Sequence, residues 1–356
     1  MTARHAPAAD AIDAAIRAEV PDLPEAGHER SWAELGLDSF GLVALRAAAE
    51  QALGREITDP EWLSAATPAD LIRLADDRGA AATPKATSGL SIEESVELGM
   101  PQMAMGGLSE SWLMRTLGDL HWRLIASALD TKAAAIRDGD GNRLVPVFTR
   151  IRFAATRPLA AWREGEALRL SASLSRLGSG LFFSRVEVAG EEDRRISADL
   201  MSSFAARGAE GGNLDLIRGQ AKIPEGCRAA LLEDMPPFGI GYQERRRAAA
   251  DERILARAGY EMMPQYDING LGMLYCAAYP MIADIAQMRV QGGAGWAAAT
   301  STIERDIFYF ANADCDDRLE WRLHSDPGGD GLDTEASIVR SDGTTIASLS
   351  TRKARL

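Results

Sequence analysis

Met100-Pro-Gln-Met-Ala-Met-Gly-Gly-Leu108 returns 163 residues later as Met263-Pro-Gln-Tyr-Asp-Ile-Asn-Gly-Leu271. Met100, Pro101, Gln102, Gly107 and Leu108 recur identically as Met263, Pro264, Gln265, Gly270 and Leu271. Each copy runs into a long apolar stretch that reads as a helix, SESWLMRTLGDLHWRLIASAL in the first and GMLYCAAYPMIADIAQMRV in the second. Self-similarity at one offset marks a duplicated structural unit. The copies also end alike: Gly180 to Phe204 and Gly331 to Thr351 each read strand, polar turn, strand. Further β-like runs cover Leu144 to Phe153, Ala167 to Leu174 and Leu181 to Val188. A helix that is apolar nearly all round needs cover on every side, and the strands that follow supply it as an antiparallel sheet wrapped about a central helix. Residues 90–356 therefore read as an α+β domain of two halves, about 90–205 and 250–356.

Residues 1–78 have a different texture. Short amphipathic patterns (DAIDAAIRAEV, FGLVALRAAAEQALG, PADLIRLADD) alternate with turns, as in a small all-α, four-helix domain. This segment holds 15 acidic and 7 basic residues, against 37 and 32 in the remainder, so the acidity is concentrated in it. Between the two domains, GAAATPKATSG (79–89) lacks bulky apolar side chains and reads as a flexible linker.

The whole chain of 356 residues is 46% hydrophobic, enough to bury real cores and to exclude wholesale disorder. Its net charge of −13 speaks against nucleic acid as a partner, because phosphate-backbone affinity rests on clustered Lys and Arg. Three dispersed cysteines (Cys227, Cys276, Cys315) and four scattered histidines give neither a disulfide framework nor a metal-site spacing, so no metal is expected. No signal-like leader or run of eighteen apolar residues stands out, and the expectation is a cytoplasmic protein without a membrane partner.

Glu34-Leu-Gly-Leu-Asp-Ser-Phe40, followed by an amphipathic helix, resembles the phosphopantetheine attachment site of acyl carrier proteins. Ser39 is the matching serine, and Asp38 is the carboxylate that assists metal and phosphate positioning during attachment. The resemblance implies covalent 4'-phosphopantetheine on Ser39 and a phosphopantetheinyl transferase as partner. Leu35 and Leu37 would pin the loop, while Phe40, Val43 and Ala44 fall on helical spacing. The helix N-terminus suits a phosphodiester anion.

The helix-plus-sheet order of the second domain resembles the hot-dog fold, and two copies resemble a double hot dog. Gly-Gly-Leu-Ser-Glu-x-Trp-Leu (106–113) and Gly-Asp-x-His-Trp (118–122) resemble the LnmK-type acyltransferase/decarboxylases of polyketide biosynthesis. That likeness implies decarboxylation of a malonyl-CoA or methylmalonyl-CoA type thioester, transfer of the acyl group to a carrier thiol, and a polyketide synthase or other biosynthetic enzyme as partner. Decarboxylation leaves an enolate, so fixed donors must await the thioester oxygen. Gly106 and Gly107, whose backbone admits close approach, with Ser109 and Glu110 at the helix start, are the first candidates. The same four residues also read as a turn and a helix cap. Asn269 holds the equivalent place in the second copy. His121 reads either as an acid/base group or as a core histidine; Asp119, two residues earlier on the helix, points about 200° away and is no dyad partner. Tyr275 and Tyr279 read as packing, Pro280 as a helix kink, and Arg245-Arg246-Arg247 as a solvated face or a contact for phosphate or the acidic domain. The family's acyl-accepting tyrosine in the first half has no counterpart, since the first tyrosine is Tyr242. A non-catalytic carrier-binding module and a dehydratase or thioesterase are the other readings of the domain.

Overall fold

The computed structural model describes residues 6–37, 39–75, 89–208, 214, 216–251 and 253–356. Asp38 and all but the last residue of the expected linker fall outside them. The N-terminal domain has four α-helices among these residues: α1 (Ala6–Glu19), α2 (Ser39–Leu53), α3 (Asp59–Ser64) and α4 (Pro68–Arg73). Two of the starts are written in the sequence. Thr58 with Glu61, and Thr67 with Asp70, form reciprocal capping boxes that satisfy backbone N–H groups at α3 and α4. Ile12, Ile16, Leu45, Ile57 and Leu71 make the core, with Leu35 and Leu37 packed at its edge as expected. The Trp32 indole donates to the Ala65 carbonyl, 2.7 Å, closing the loop over that core.

In the second domain the first half comprises β1 (Ser91–Glu97), a miniature hairpin of β2 (Met103–Ala104) and β3 (Gly107–Leu108), α5 (Glu110–Ala128), β4 (Val145–Ala155), β5 (Ala167–Leu177), β6 (Leu181–Ala189) and β7 (Arg195–Arg207). A crossover carries β8 (Leu216–Gly219), which pairs with β7, β9 (Ala230–Leu231), which pairs with β5, and α6 (Tyr242–Asp251). The second half follows with β10 (Ala256–Glu261), α7 (Pro264–Asp267), α8 (Ala278–Val290), α9 (Ala294–Ala298), β11 (Thr300–Tyr309), β12 (Arg318–Ser325), β13 (Asp333–Arg340) and β14 (Thr345–Arg355).

The sheet runs β1-β5-β6-β7-β4-β11-β14-β13-β12-β10. Exchanging each strand for its counterpart in the other half gives the same order read backwards, so the sequence repeat is a structural repeat. The halves join at β4 and β11, antiparallel, with Ile151 opposite Ile307. Across this seam Arg150 grips Asp306 with two hydrogen bonds of 2.9 and 2.6 Å, and its guanidinium stacks on Phe308. Alternation decides which face of each strand is buried: Leu168, Leu170, Ala172 and Leu174 of β5 point inward. Against that face α5 packs Leu113, Leu117, Leu120 and Leu124, each burial contributing about 1.5–3 kcal/mol.

The two central helices start differently. The first follows its motif directly, with Glu110 two residues beyond Leu108, whereas α8 begins seven residues beyond Leu271. The helix expected over 272–290 therefore loses its first six residues. Pro280 does not kink it, because it lies in the first turn, where its missing N–H has no intrahelical acceptor to serve. His324, expected in an exposed turn, sits on β12 with Nε2 2.8 Å from Ser337 Oγ. Among the described residues no helix is long and apolar enough to cross a membrane.

Candidate active site

The six residues missing from α8 open a cavity. It measures about 370 Å³ and lies where the halves meet, between Pro146–Thr149 of β4, Ser203–Ala205 of β7 and Trp122 of α5 on one side, and the 269–279 segment with Tyr309–Asn312 on the other. That size is within the range of small-molecule sites. Four of the chain's six tyrosines, Tyr242, Tyr275, Tyr279 and Tyr309, line it, so Tyr275 and Tyr279 are wall residues and not merely packing.

Two asparagines hold the unwound segment in place. Asn269 Oδ1 accepts from the N–H groups of Leu271 (2.9 Å) and Met273 (3.1 Å), and Asn312 Oδ1 accepts from Leu274 (3.0 Å) and Ala313 (2.8 Å). A carboxamide has one acceptor and one NH₂. Both oxygens are committed to backbone, and among the described residues neither Nδ2 group has a hydrogen-bond acceptor, so both are donors available in a cavity that both residues line. The tyrosine hydroxyls are mostly spent: Tyr242 donates to Tyr309 O, Tyr279 to Ala311 O and Tyr309 to Cys276 O. Half-buried Tyr275 has its ring under the Arg115 guanidinium, 5.1 Å away, and no hydrogen bond to its hydroxyl among the described residues. Burial raises the Tyr275 phenol against the pull of Arg115, and pushes the Cys276 thiol up to about 12. At neutral pH these groups keep their protons and act as donors. The described lining contains no histidine and no carboxylate; Arg340 is its one charged side chain.

Of the six catalytic candidates only Asn269 reaches this cavity. The structure gives each of the others a different task. Gly106 turns the β2–β3 hairpin with φ +85°, and Gly107, at φ +150°, packs so tightly that a Cβ would overlap Ala160 Cα and Leu159 O. Ser109 caps α5 by accepting from Trp112 N at 3.2 Å. Glu110 binds Arg305 (2.8 and 3.0 Å) and Thr302 (2.8 Å) from β11. Arg305 in turn meets Asp284 (2.9 Å), and Asp284 meets Lys353 (3.0 Å). This network fills the first-copy end of the seam with ion pairs, at the place where the second copy has its cavity. His121 is fully buried, its ring nitrogens 2.6 and 2.7 Å from Ser184 Oγ and Ser202 Oγ, and burial lowers it to about 3. It stands one layer behind the cavity wall, 5.2 Å from the Phe148 ring, as a neutral core residue. Arg245 is also drawn inward, to Ser348 and Glu335, while Arg247 donates to Glu19 O of the N-terminal domain. Asn312 went unread in the sequence, because F-A-N-A-D after a strand carries no periodic or motif signal.

Ser39 opens a helix of 15 residues at the end of a loop turned by Gly36, φ +74°. The N–H groups of a first helical turn have no intrahelical acceptor, so this junction fits a serine-borne phosphodiester. Residues 14–75 match the family described as phosphopantetheine attachment site. No curated protein matches the chain. Among solved structures, the acyl-ACP thioesterase of Bacteroides thetaiotaomicron VPI-5482 is 11% identical with a TM-score of 0.51, over 74% of this chain and 98% of its own. A Lactobacillus plantarum protein described as an oleoyl thioesterase is 10% identical with a TM-score of 0.54, over 75% and 97%. The second domain shares the hot-dog fold of these two structures. In the hot-dog domain of this chain, the described polar groups that line the cavity are amides, hydroxyls, the Cys276 thiol and the Arg340 guanidinium, set among aromatic walls.

Proposed function

We propose that the chain is an acyltransferase/decarboxylase of natural-product biosynthesis: a carrier domain joined to a double hot dog that acts on a malonyl-type thioester, methylmalonyl or malonyl, in the seam cavity. Phosphopantetheine on Ser39, placed there by a phosphopantetheinyl transferase, supplies a thiol whose sulfur attacks the donor thioester carbonyl; the donor C–S bond breaks and CoA leaves as its thiol, taking the proton the pantetheine thiol gives up. A polyketide synthase or a comparable biosynthetic enzyme takes the product.

The observation that carries this reading is the pair of pinned carboxamides, Asn269 and Asn312, in an aromatic chamber. Loss of CO₂ from a malonyl thioester needs no base. The bonding pair of the departing carboxylate moves onto the α-carbon and the thioester oxygen, and a proton then returns to carbon. Donors fixed before the charge develops stabilise that oxygen, and losing one typically costs 10²–10³ in rate, about 2.7–4 kcal/mol. Asn269 Nδ2 and Asn312 Nδ2 are such donors, held by bonds to backbone rather than by solvent. Tyr275 O–H and Ser203 Oγ, which also lines the cavity, are hydroxyls that can hold the carboxylate or return the proton. Aromatic walls strip water from the carboxylate and so favour its departure as neutral CO₂.

The test is the intact mass of phosphopantetheinylated protein after exposure to methylmalonyl-CoA or malonyl-CoA. A propionyl or acetyl adduct that disappears in Ser39→Ala supports the reading. Asn312→Asp keeps the acceptor for Leu274 N–H but replaces the donor by a second oxygen, and is expected to slow adduct formation by about 10²–10³. An unchanged holo mass, an adduct that retains its carboxylate, or release of free acid in place of CO₂ refutes it.

A further inference from the structure

The carrier domain has two apolar faces on one helix, and its own core uses one of them. Leu45 and Ala49 of α2 enter that core. Val43, Ala44 and Ala47 instead form a cluster with Leu177, Leu181, Phe183, Met201 and Tyr242 of the hot-dog domain, and Ala47 is 1% exposed. The receiving surface is the β5–β6 turn, Leu177-Gly-Ser-Gly-Leu181, and it is shaped to this helix. A Cβ on Gly180 would lie 2.9 Å from Val43 Cγ1, and one on Gly178 would lie 2.5 Å from Glu50 Oε2 and 2.9 Å from Ala47 Cα. Small residues on both partners let the turn and the helix approach at backbone distance.

A polar key lies beside the apolar contact. Glu50 sits one turn beyond the apolar stripe and is 4% exposed. Its carboxylate accepts from Ser179 N (2.9 Å) and Ser179 Oγ (2.8 Å), both in the turn, and from Ile57 N (3.0 Å) within the carrier. Gln220 donates to the same serine hydroxyl, and Arg176 reaches Glu56 at 3.7 Å. A buried carboxylate stripped of its partners is costly, so this key favours one seat. Tyr242 then connects that seat to chemistry, since it packs in the α2 cluster and also lines the seam cavity. Val43 is four residues, about 6 Å of helix, beyond Ser39. A phosphopantetheine arm of roughly 18–20 Å by extended-chain rises exceeds that turn and one aromatic side chain together.

We propose that the hot-dog domain carries a dedicated seat for its own carrier domain, the Gly178-Ser179-Gly180 turn receiving α2, and that Ser39 serves the seam cavity of the same chain. The occupied turn is then closed to a second carrier, and delivery is intramolecular, at an effective concentration of about millimolar. This deepens the function proposed above and rests on it only for the chemistry, since the seat itself is read without turnover.

The experiment is backbone ¹⁵N relaxation of residues 14–75 in the full phosphopantetheinylated chain. Seated, these amides tumble with the whole protein. In Val43→Arg and in Gly180→Leu they are expected to shift to severalfold shorter correlation times, as a small body on a tether. Val43 lies outside the carrier core and Gly180 has no left-handed φ, so neither change attacks its own domain, and unaltered thermal unfolding of the hot-dog domain confirms that. Independent tumbling in the unmutated chain, or unchanged tumbling in both variants, overturns the seat. A mixture of full-length Ser39→Ala with full-length Asn312→Asp tests delivery: failure to restore the acyl adduct supports service within one chain, and restoration to the unmutated rate overturns it. A seated carrier with no acyl chemistry on any malonyl thioester would leave the seat standing and remove the decarboxylase reading.

Discussion

Replacing Arg305 with leucine tests whether the first-copy end of the seam is closed by ion pairs. The Arg305 side chain is fully buried; it gives Glu110 two hydrogen bonds, Asp284 one and Thr351 one. In Arg305→Leu the Glu110 carboxylate keeps Thr302 as its hydrogen-bond donor, with no cation. Asp284 is about one-third exposed and retains Lys353, so it contributes the smaller share. Removing one partner of a buried pair costs about 3–5 kcal/mol, whereas replacing the pair with apolar side chains is often neutral. Arg305→Leu is therefore expected to lose about 3–5 kcal/mol in urea unfolding of the hot-dog domain, and Glu110→Leu with Arg305→Leu to recover most of it. Acid behaviour gives a second reading. Burial works to raise Asp284, but Arg305 and Lys353 outweigh it and hold the carboxyl at about 2. A lowered carboxylate contributes stability that is present above its unfolded value near 4 and lost as pH falls toward 2. That acid-range loss should shrink in Arg305→Leu. A single-variant cost below about 1 kcal/mol, or a double variant as unstable as the single, would refute the closure by charge.

Three further outcomes follow from neighbouring observations. His121 is held at about 3 against an ordinary 6.5, so the unfolded chain takes up the proton first; stability should fall as pH drops from 6.5 toward 3, and His121→Phe should flatten that fall in pH-dependent urea titrations. The same variant leaves Ser184 and Ser202 without their partner, at about 1–3 kcal/mol for each buried group. Gly107→Ala forces a Cβ into Ala160 and Leu159 at a left-handed φ and should cost about 1–3 kcal/mol or more in thermal unfolding. Burial raises Glu19, beside Arg247 of α6, to about 7; a raised carboxyl favours the seated carrier below that pH and opposes it above. Seating should weaken by the relaxation measurement as pH rises from about 4.5 through 7, and Glu19→Gln should reduce the dependence, the rest belonging to Glu50 in the seat, whose carboxyl burial also raises.

The duplicated motif, the strand–turn–strand endings and the separate acidic domain were all legible, because periodicity and repetition are local properties of a sequence. Of the proposed site, one residue was legible. Asn269 was reached through its place in the repeat, whereas Asn312 and Tyr309 come from the end of β11 and enter the cavity only through the seam pairing. His121 shows the converse. Its residue type suggested acid/base work, but its partners Ser184 and Ser202 lie 63 and 81 residues away, and they make it a neutral strut. Val43 and Ala44 fell on helical spacing, yet spacing alone does not say that they face another domain.

The two halves also differ at the two ends of their seam. A symmetric pair would place a helix start and its motif at both ends of the seam. Here the first copy proceeds straight into α5, and Glu110, at the first turn, takes Arg305 from the opposite strand. The second copy has Met273 at the position of Glu110 under the 163-residue offset, and so has no carboxylate to offer there. Without that ion pair the chain after Leu271 is free to be tied by Asn269 and Asn312 instead, α8 starts late at Ala278, and the vacated turn becomes the chamber wall. One acidic residue in one copy and two amides in the other thus mark the difference between an end filled with ion pairs and an end that holds the cavity. Tyr242 joins that open end to the carrier's α2. A variant that opened the closed end should gain no carrier access there, because α2 packs against Tyr242, which lines the open end.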